Sequence, residues 1–324
     1  MLRPLLRAIF ANFSQKRDKK NIIQPNIMLA KRLHTSNALP YLALGIGIIS
    51  MGMSAIFVRW ADAPGPVTAF YRLFLSSLIL TPFALKRCFR HCHLSKKILL
   101  APLLGGLFTS LDLALWNTAL FYTTAANATL LVNTNPLWVA LGTWLIFREK
   151  LSKAFWLGLG IALFGAVLVV GGDFLIHPRL GIGDLIAISA GVFYAAYFLS
   201  TQRGRENFHP VTYIWMIGLS GSLGLAVINL LLGNALTGYT HKTWGIFWTT
   251  AIVSQVIGYV AVSYALGHLP ASVVAPTMIG QPIMTTLFAI PFLGEIPRPA
   301  QILGGIIALF GIYLVNRSHH QKTE

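Results

Sequence analysis

The chain has 324 residues, of which 55% are apolar and only 10% are charged, and its net charge is +16. Soluble domains carry about 25% charged residues. The composition therefore excludes a soluble globular protein and, with a mean hydropathy of +0.67, indicates a polytopic membrane protein. Two cysteines are too few for a disulfide framework.

The first 40 residues are basic and contain one acidic residue, Asp18. Their polarity predicts a disordered cytosolic tail. A cleaved organellar transit peptide would also be rich in Arg and Ser and poor in acidic residues. A true start at Met28 is the third alternative.

Apolar segments follow from Tyr41 to Val315, each close to the about 20 residues that a helix needs to cross a bilayer. Their residues do not alternate between polar and apolar, which excludes a transmembrane barrel. The predicted fold is therefore all-α, with ten transmembrane helices. We number these predicted spans one to ten, at residues 41–58, 68–85, 99–121, 125–147, 154–171, 182–200, 211–232, 245–267, 271–293 and 300–316.

Lys and Arg favour the cytoplasmic ends of transmembrane helices. Ten spans place both termini on one side, and that side then holds 20 of the 25 Lys and Arg, against four on the other and Arg72 within a span. The bias predicts a multi-pass protein of the bacterial plasma membrane with both termini in the cytoplasm. Contacts with anionic lipids, rather than nucleic acid, explain the basic charge.

The pentapeptide IALFG occurs at 161–165 and again at 307–311. Without a gap, residues 119–170 align with 265–316, and 16 of the 52 positions are identical, Pro136 with Pro282 among them. The match predicts a duplication of five spans. Because five is odd, the second copy enters the membrane from the opposite side. Such inverted repeats are typical of secondary transporters, whose substrate site lies near the midplane between them.

Three stretches resemble the EamA-type members of the drug/metabolite transporter superfamily: FVRWADAPGPVTAFYRLFLSSL (57–78), LDLALWNTALFYTTAANATLLVNTNPLWVALGTWLIFREKLS (111–152) and ASVVAPTMIGQPIMTTLFAIPFLGEIP (271–297). The resemblance implies two inverted five-helix repeats around a central cavity, and transport of small metabolites, often outward. We expect a first repeat at 41–171, an external linker at 172–181 and a second repeat at 182–316, between cytosolic tails at 1–40 and 317–324.

Two ionisable residues lie inside predicted spans, where charges are costly and usually face a cavity or a partner. Arg72 follows PVTAFY in span two, and Asp112 lies near the centre of span three. Arg72 is a candidate contact for a ligand carboxylate or a gate; the alternative is a snorkelling or ion-paired Arg. Asp112 is a candidate proton-coupling carboxylate; the alternative is a structural partner of Arg72.

Amides beside prolines mark two spans. Span four carries Asn127, Asn133 and Asn135 before Pro136, and span nine carries Gln281 before Pro282. Proline bends a helix by freeing a carbonyl, here that of Val132. The symmetric positions predict that both helices line the cavity; the alternative is hydrogen bonding between helices.

Aromatic residues recur at similar depths in the predicted spans, and would suit flat organic solutes and cations. Most are expected to be core or interfacial residues. Trp116, one turn from Asp112, and Tyr259 are the preferred cavity residues of the set Trp60, Tyr71, Trp116, Tyr194, Tyr197, Tyr259 and Tyr264.

Two further sets have structural roles in this interpretation. Glu149 and Glu295 each precede a helix, where negative charge complements the helix dipole. Four glycines, seven apart on one face of spans five and ten, predict close helix packing within the bundle or in a homodimer: Gly158, Gly165, Gly304 and Gly311.

The sequence lacks G-x-S-x-G, H-E-x-x-H and P-loop motifs. We therefore expect no enzyme activity, no ATP and no cofactor. Cys88, His91, Cys92 and His93 do not have a zinc spacing, and we expect no metal there. The predicted function is alternating-access transport of small organic metabolites or drug-like compounds, as an exporter or exchanger. The alternative is a membrane-embedded enzyme or lipid-binding scaffold on the same bundle.

Overall fold

The computed structural model describes residues 38–91, 96–119, 122, 131–147, 151–170, 181–294 and 299–320. Throughout these ranges the regular structure is helical, and no strand occurs in them. The N-terminal tail, Asn127, Glu149, Glu295 and the side chains of the Cys88–His93 loop lie outside this description.

Each predicted span contains at least one helix among the described residues, and some of the spans are broken. The helices are Ala38–Gly52 and Ser54–Trp60 (span one), Gly65–His91 (two), Lys96–Ala119 (three), Asn135–Phe147 (four), Lys153–Val170 (five), Ile182–Gly204 (six), Pro210–Leu231 (seven), His241–Thr250, Ala251–Tyr259 and Val260–Leu266 (eight), Ala271–Thr277 and Gly280–Leu293 (nine), and Pro299–His320 (ten). Eight spans are long and apolar enough to cross a membrane; within the described residues, four and five are shorter. The all-α fold is confirmed, and the count of ten stays a prediction.

The outside of the bundle is apolar. Large side chains such as Phe83 (62% exposed), Leu223 (69%) and Leu230 (80%) point away from the protein. In water such a surface would aggregate, whereas lipid tails solvate it at no cost. The helical backbone meets the requirement that every N–H and C=O group be bonded internally in a membrane.

Local signals set several helix ends. The Thr240 hydroxyl accepts a hydrogen bond from the Thr243 N–H at 3.2 Å, which caps the start of span eight. At the ends of spans seven and nine, Gly233 and Gly294 both adopt φ of +68°. Glycine takes this left-handed conformation without strain, and it commonly ends helices.

The helix contacts are paired as a duplication would require. Exchanging the two halves replaces each of spans one to five by the span five places later, and each of spans six to ten by the span five places earlier. The contact between spans three and six then becomes the contact between eight and one. In the same way, the contact of four with six becomes that of nine with one, and the contact of two with eight becomes that of seven with three. All six contacts occur, as do the self-matched contacts of two with seven, four with nine and five with ten.

The two copies of IALFG pack against each other. A Cβ atom built on Gly165 would lie 2.6 Å from the Gly304 carbonyl oxygen, and one on Gly311 would lie 2.7 Å from that of Gly158. Spans five and ten therefore touch backbone to backbone and run antiparallel, because the start of one faces the end of the other. The four glycines are therefore used for packing between spans five and ten of the same chain.

We expect Gly165→Ala to lower the free energy of unfolding by about 1–3 kcal/mol, because the added methyl group would overlap the Ala308 and Gly304 backbone. Gly160→Ala is the matched control, since nothing lies within 4 Å of its Cβ position five residues away. Thermal unfolding of both variants in detergent would test the packing. Equal stability of the two variants would contradict it.

Candidate functional site

Spans four and nine are interrupted at matching positions. A turn at Asn133 and Thr134 precedes the helix that starts at Asn135, and a turn at 278–279 precedes the helix that starts at Gly280. Pro136 and Pro282 therefore lie in the first turn of a new helix, where proline costs no hydrogen bond. The sequence predicted a bend at each proline; the structure has a break just before it instead.

The amides beside these prolines have different surroundings. Asn135 is buried (2% exposed), and its Nδ2 has no hydrogen-bond partner in the described part of the chain. Asn133 is half-buried in the turn. Gln281 Nε2 donates to the Met51 carbonyl at 3.4 Å. The Thr285 hydroxyl donates to the Gly52 carbonyl at 2.8 Å, so the start of this helix packs on the interruption in span one.

Arg72 joins span two to spans one and eight. Its Nε donates to Gln255 Oε1 and its Nη1 to Ser54 Oγ, both at 3.0 Å. Its guanidinium carbon lies 5.0 Å from the centroid of the Tyr259 ring. Arg72 is only 7% exposed, so it does not snorkel to an interface. This burial favours a cavity or partner contact over the interfacial alternative.

Span eight contains a π-helical segment, Ala251–Tyr259, which carries both Gln255 and Tyr259. The wider turn holds an extra residue and is frequent at functional sites. Gln255 is fully buried, and its Nε2 has no partner among the described residues. Sequence reasoning missed Gln255 and Ser54; the available signal was a polar side chain in an apolar run.

Asp112 faces the same cluster from span three. It is 5% exposed, and within the described residues it forms no hydrogen bond and no ion pair. Its carboxyl group lies within electrostatic range of Arg72. Tyr194 of span six lies within electrostatic range of both side chains. The structure therefore brings together Arg72, Asp112 and Tyr259, three residues that the sequence had singled out separately.

Tyrosines from spans six and eight form one wall of the cluster. The Tyr194 and Tyr197 rings stack at 6.1 Å, and the Tyr197 and Tyr259 rings lie 5.5 Å apart. Trp116, one turn from Asp112, instead packs with Ala119 and Ala187. Its Nε1 is buried without a partner in the described part.

The loop between spans seven and eight packs on Tyr71, the neighbour of Arg72 in the sequence. The Tyr71 hydroxyl donates to the Leu236 carbonyl of this loop. The Tyr71 ring stacks on Phe247 at 4.6 Å and meets Trp244 edge-on at 4.8 Å. We call this end of the bundle the loop end. Tyr71 and Arg72, adjacent in sequence, thus both bind span two to span eight.

The model of the EamA-like transporter family matches residues 38–171 and 181–317 of the chain. The chain belongs to this family. As an EamA-like transporter it is a multi-pass membrane protein of a transport family, which confirms the predicted family and the membrane transport assignment. The two matches divide the helices into halves of spans one to five and six to ten.

Relatives agree with this assignment. An uncharacterized transporter of Archaeoglobus fulgidus is 28% identical to this EamA-like chain. The match covers 88% of this chain and the full length of the relative. The pseudopaline exporter CntI of Pseudomonas aeruginosa is 22% identical over 67% of this chain and 74% of its own. A solved crystal structure has a TM-score of 0.73 at 16% identity, over 87% of this chain and 98% of that one, which supports the fold alone.

Proposed function

We propose that this EamA-like protein is a secondary transporter of small organic solutes that works by alternating access. The observation that carries the proposal is that both halves of the chain contribute residues to the buried cluster. Ser54, Arg72 and Asp112 come from the first family match, whereas Gln255 and Tyr259 come from the second. A site between two repeats opens to either side when one repeat rocks against the other.

In this proposal the chain crosses the membrane ten times, in two inverted repeats at 41–171 and 182–316 joined by an external linker. The antiparallel packing of spans five and ten supports inversion, because equivalent helices of inverted repeats run in opposite directions. The distribution of Lys and Arg supports cytoplasmic termini in a bacterial plasma membrane. A homodimer stays a prediction, since the four glycines are used for packing within the chain.

Arg72, Asp112 and Tyr259 are the proposed primary contacts of the solute, because they share one buried cluster. The proposed secondary contacts are Asn133, Asn135, Gln281 and Trp116. Movement of the broken helices of spans four and nine would expose them to the solute. Asn133, Asn135 and Gln281 lie at the breaks, and discontinuous helices of this kind form substrate sites in other transporters. The tyrosine wall suits small organic molecules with a flat or amphipathic face.

The proposed direction is outward, as an exporter or exchanger. The relative named as a pseudopaline exporter supports this direction. Proposed coupling to protons runs through Asp112, which Arg72, Tyr194 and Tyr259 face. Asp112 suits this role because it is a buried carboxyl group (5% exposed) within electrostatic range of Arg72.

The test is solute exchange by purified protein in liposomes without nucleotide, with a broad metabolite mixture and with or without a pH gradient. The wild type is expected to exchange solute, faster under the gradient. Asp112→Asn keeps a polar side chain of the same size at this contact, so it should retain part of the exchange but lose the response to the gradient. No exchange by the wild type would contradict the proposed function.

Asp184→Asn is the matched control for Asp112. Asp184 is also buried in a span (2% exposed), but its Oδ2 accepts a hydrogen bond from the Gly181 N–H at 2.8 Å at a helix start. Weakening this hydrogen bond by Asp184→Asn should lower the free energy of unfolding by about 1 kcal/mol and leave the gradient response intact. If only Asp112→Asn fails to fold, Asp112 is a structural residue.

A further inference from the structure

Hydroxyl side chains of spans six and eight continue the tyrosine wall away from the loop end. Tyr197 precedes Ser200 and Thr201 by three and four residues, so the three share one face of span six. Ser263 lies one turn beyond Tyr259 on span eight. The exposed fractions of Tyr197, Ser200, Thr201 and Ser263 are 1%, 4%, 0% and 0%. We call these four side chains the hydroxyl cluster.

The four hydroxyl groups form no hydrogen bond within the part of the chain that the structure describes. Other buried hydroxyls donate to the carbonyl four residues earlier in their own helix, as Thr109 does to Gly105 and Thr250 to Ile246, both at 2.8 Å. Buried polar groups almost always have a partner, and ordered water is a common one. The hydroxyl cluster is therefore suited to hold water inside an otherwise apolar bundle.

The hydroxyl cluster adjoins the buried cluster around Arg72. The Tyr197 ring lies 5.5 Å from the Tyr259 ring, whose centroid is 5.0 Å from the Arg72 guanidinium carbon. Farther along span six, Thr201 lies beside Tyr197 and also beside Tyr213 of span seven. Polar groups thus continue from Arg72 to the start of span seven.

Tyr213 closes this series at the end of the bundle opposite the loop end. A Cβ atom built on Gly204 would lie 2.0 Å from the Tyr213 ring, so the glycine leaves the space that the ring fills. The Tyr213 hydroxyl donates to the Ala101 carbonyl of span three at 3.4 Å. Exchange of the two halves converts this contact of spans seven and three into a contact of spans two and eight, such as that of Tyr71 with Phe247 at the loop end.

Arg205 closes the same end from span six. Its Nε donates to the Ser263 carbonyl at 2.8 Å, and its Nη1 donates to the Phe208 carbonyl. The guanidinium lies on Gly267, where an added Cβ atom would be 2.7 Å from Nη2. Arg205 is itself half-buried. Movement of Arg205 and Tyr213, which we call the cap, would expose the hydroxyl cluster to water.

We propose that the hydroxyl cluster is a water-binding site on the route between the buried cluster and the end opposite the loop end, and that the cap closes this route. The inference rests on the proposed function, because alternating access requires a second route on this side. The cap opens while the loop end is closed. Water bound to the hydroxyl groups would then hydrate the solute on its way to or from Arg72 and Asp112.

The test measures how fast (2-sulfonatoethyl) methanethiosulfonate, which does not cross membranes, modifies a cysteine in the hydroxyl cluster. Ser200→Cys and Ser263→Cys change one atom each, in a protein whose own Cys88 and Cys92 are replaced by Ser. The reagent is applied to intact cells and to inverted membrane vesicles. Both cysteines are expected to react from one side of the membrane only.

Two further cysteines provide the controls. Thr237→Cys, in the exposed loop between spans seven and eight, marks the loop-end side. Ser200→Cys and Ser263→Cys should react in the preparation in which Thr237→Cys does not. Thr250→Cys is as buried as these positions but lies in the loop-end half of span eight, and it should not react in either preparation.

Removal of the cap should raise the reaction rate of Ser200→Cys and Ser263→Cys at least tenfold. Tyr213→Ala is the first variant, and Thr250→Cys should stay unreactive in the same background if the fold is intact. Arg205→Met is the second, and it should speed up both the anionic reagent and the cationic [2-(trimethylammonio)ethyl] methanethiosulfonate. An effect of charge alone would change the two rates in opposite directions.

Three results would overturn this inference: reaction from the loop-end side, reaction no faster than that of Thr250→Cys, or unchanged rates without the cap. Each would leave solute exchange by the wild type standing. The absence of solute exchange in liposomes is a separate result that would overturn the proposed function, because the labelling needs no solute.

Discussion

Replacing Arg72 with methionine is expected to reduce solute exchange at least tenfold and to destabilise the fold. Methionine keeps an unbranched apolar stem but removes the charge and both hydrogen bonds to Gln255 and Ser54. Gln255 Oε1 and Ser54 Oγ then lose their buried donor. Each buried polar group left without its partner costs about 1–3 kcal/mol, a large part of the stability of most proteins.

A partly exposed arginine provides the control. Arg203 Nη1 pairs with Glu206 Oε1 at 3.2 Å, where the two side chains are 38% and 60% exposed. Such exposed pairs contribute about 0–1 kcal/mol. Arg203→Met should therefore lose less stability than Arg72→Met and exchange solute at the wild-type rate. If Arg72→Met also exchanges solute at the wild-type rate, Arg72 is outside the site.

A second variant separates the effects of Arg72 on folding and on transport. In Arg72→Met alone, Gln255 Oε1 is left buried without a donor. Replacing both partners with apolar groups of similar shape can be nearly neutral, so Arg72→Met with Gln255→Leu should regain part of the lost thermal stability. Exchange should stay lost in the double variant, because the contact for the solute is still absent.

Hydropathy predicted much of the fold because a helix must be apolar over a set length to cross a bilayer. The repeat could be recognised in the sequence because the two copies of IALFG pack against each other. This close packing requires Gly and Ala at the same positions of both helices, so the two copies have kept the same residues. Hydropathy did not predict the break at 278–279, since Met278 and Ile279 are as apolar as their neighbours. At 133–134 the turn residues Asn133 and Thr134 are polar, but two polar residues do not interrupt an otherwise apolar span in a hydropathy pattern. The π-helical segment in span eight was equally invisible.

The site could be predicted residue by residue, but its assembly could not. Arg72 and Asp112 were recognisable because charges are rare in membrane spans. Which residues meet them depends on packing between helices distant in sequence: Arg72 and Gln255 are 183 positions apart. Trp116 illustrates the limit: its position one turn from Asp112 is evident from the sequence, whereas its packing against Ala119 and Ala187 is not.

A cross-link at the loop end is expected to stop transport completely. Tyr71 and Phe247 stack at 4.6 Å and bind span two to span eight beside Arg72. If the cluster must open to both sides in turn, this contact has to separate once in every cycle. A covalent bridge between the two positions would hold the loop end closed while leaving Arg72 and Asp112 in place.

The central claim of alternating access is tested most directly by solute exchange before and after this cross-link. Tyr71→Cys and Phe247→Cys are combined in a protein whose own Cys88 and Cys92 are replaced by Ser, and the pair is joined with a reducible bifunctional thiol reagent. The account predicts that exchange falls to the level of protein-free liposomes and returns on reduction, whereas each single-cysteine variant is unaffected by the reagent. Undiminished exchange by the fully cross-linked protein would contradict the account.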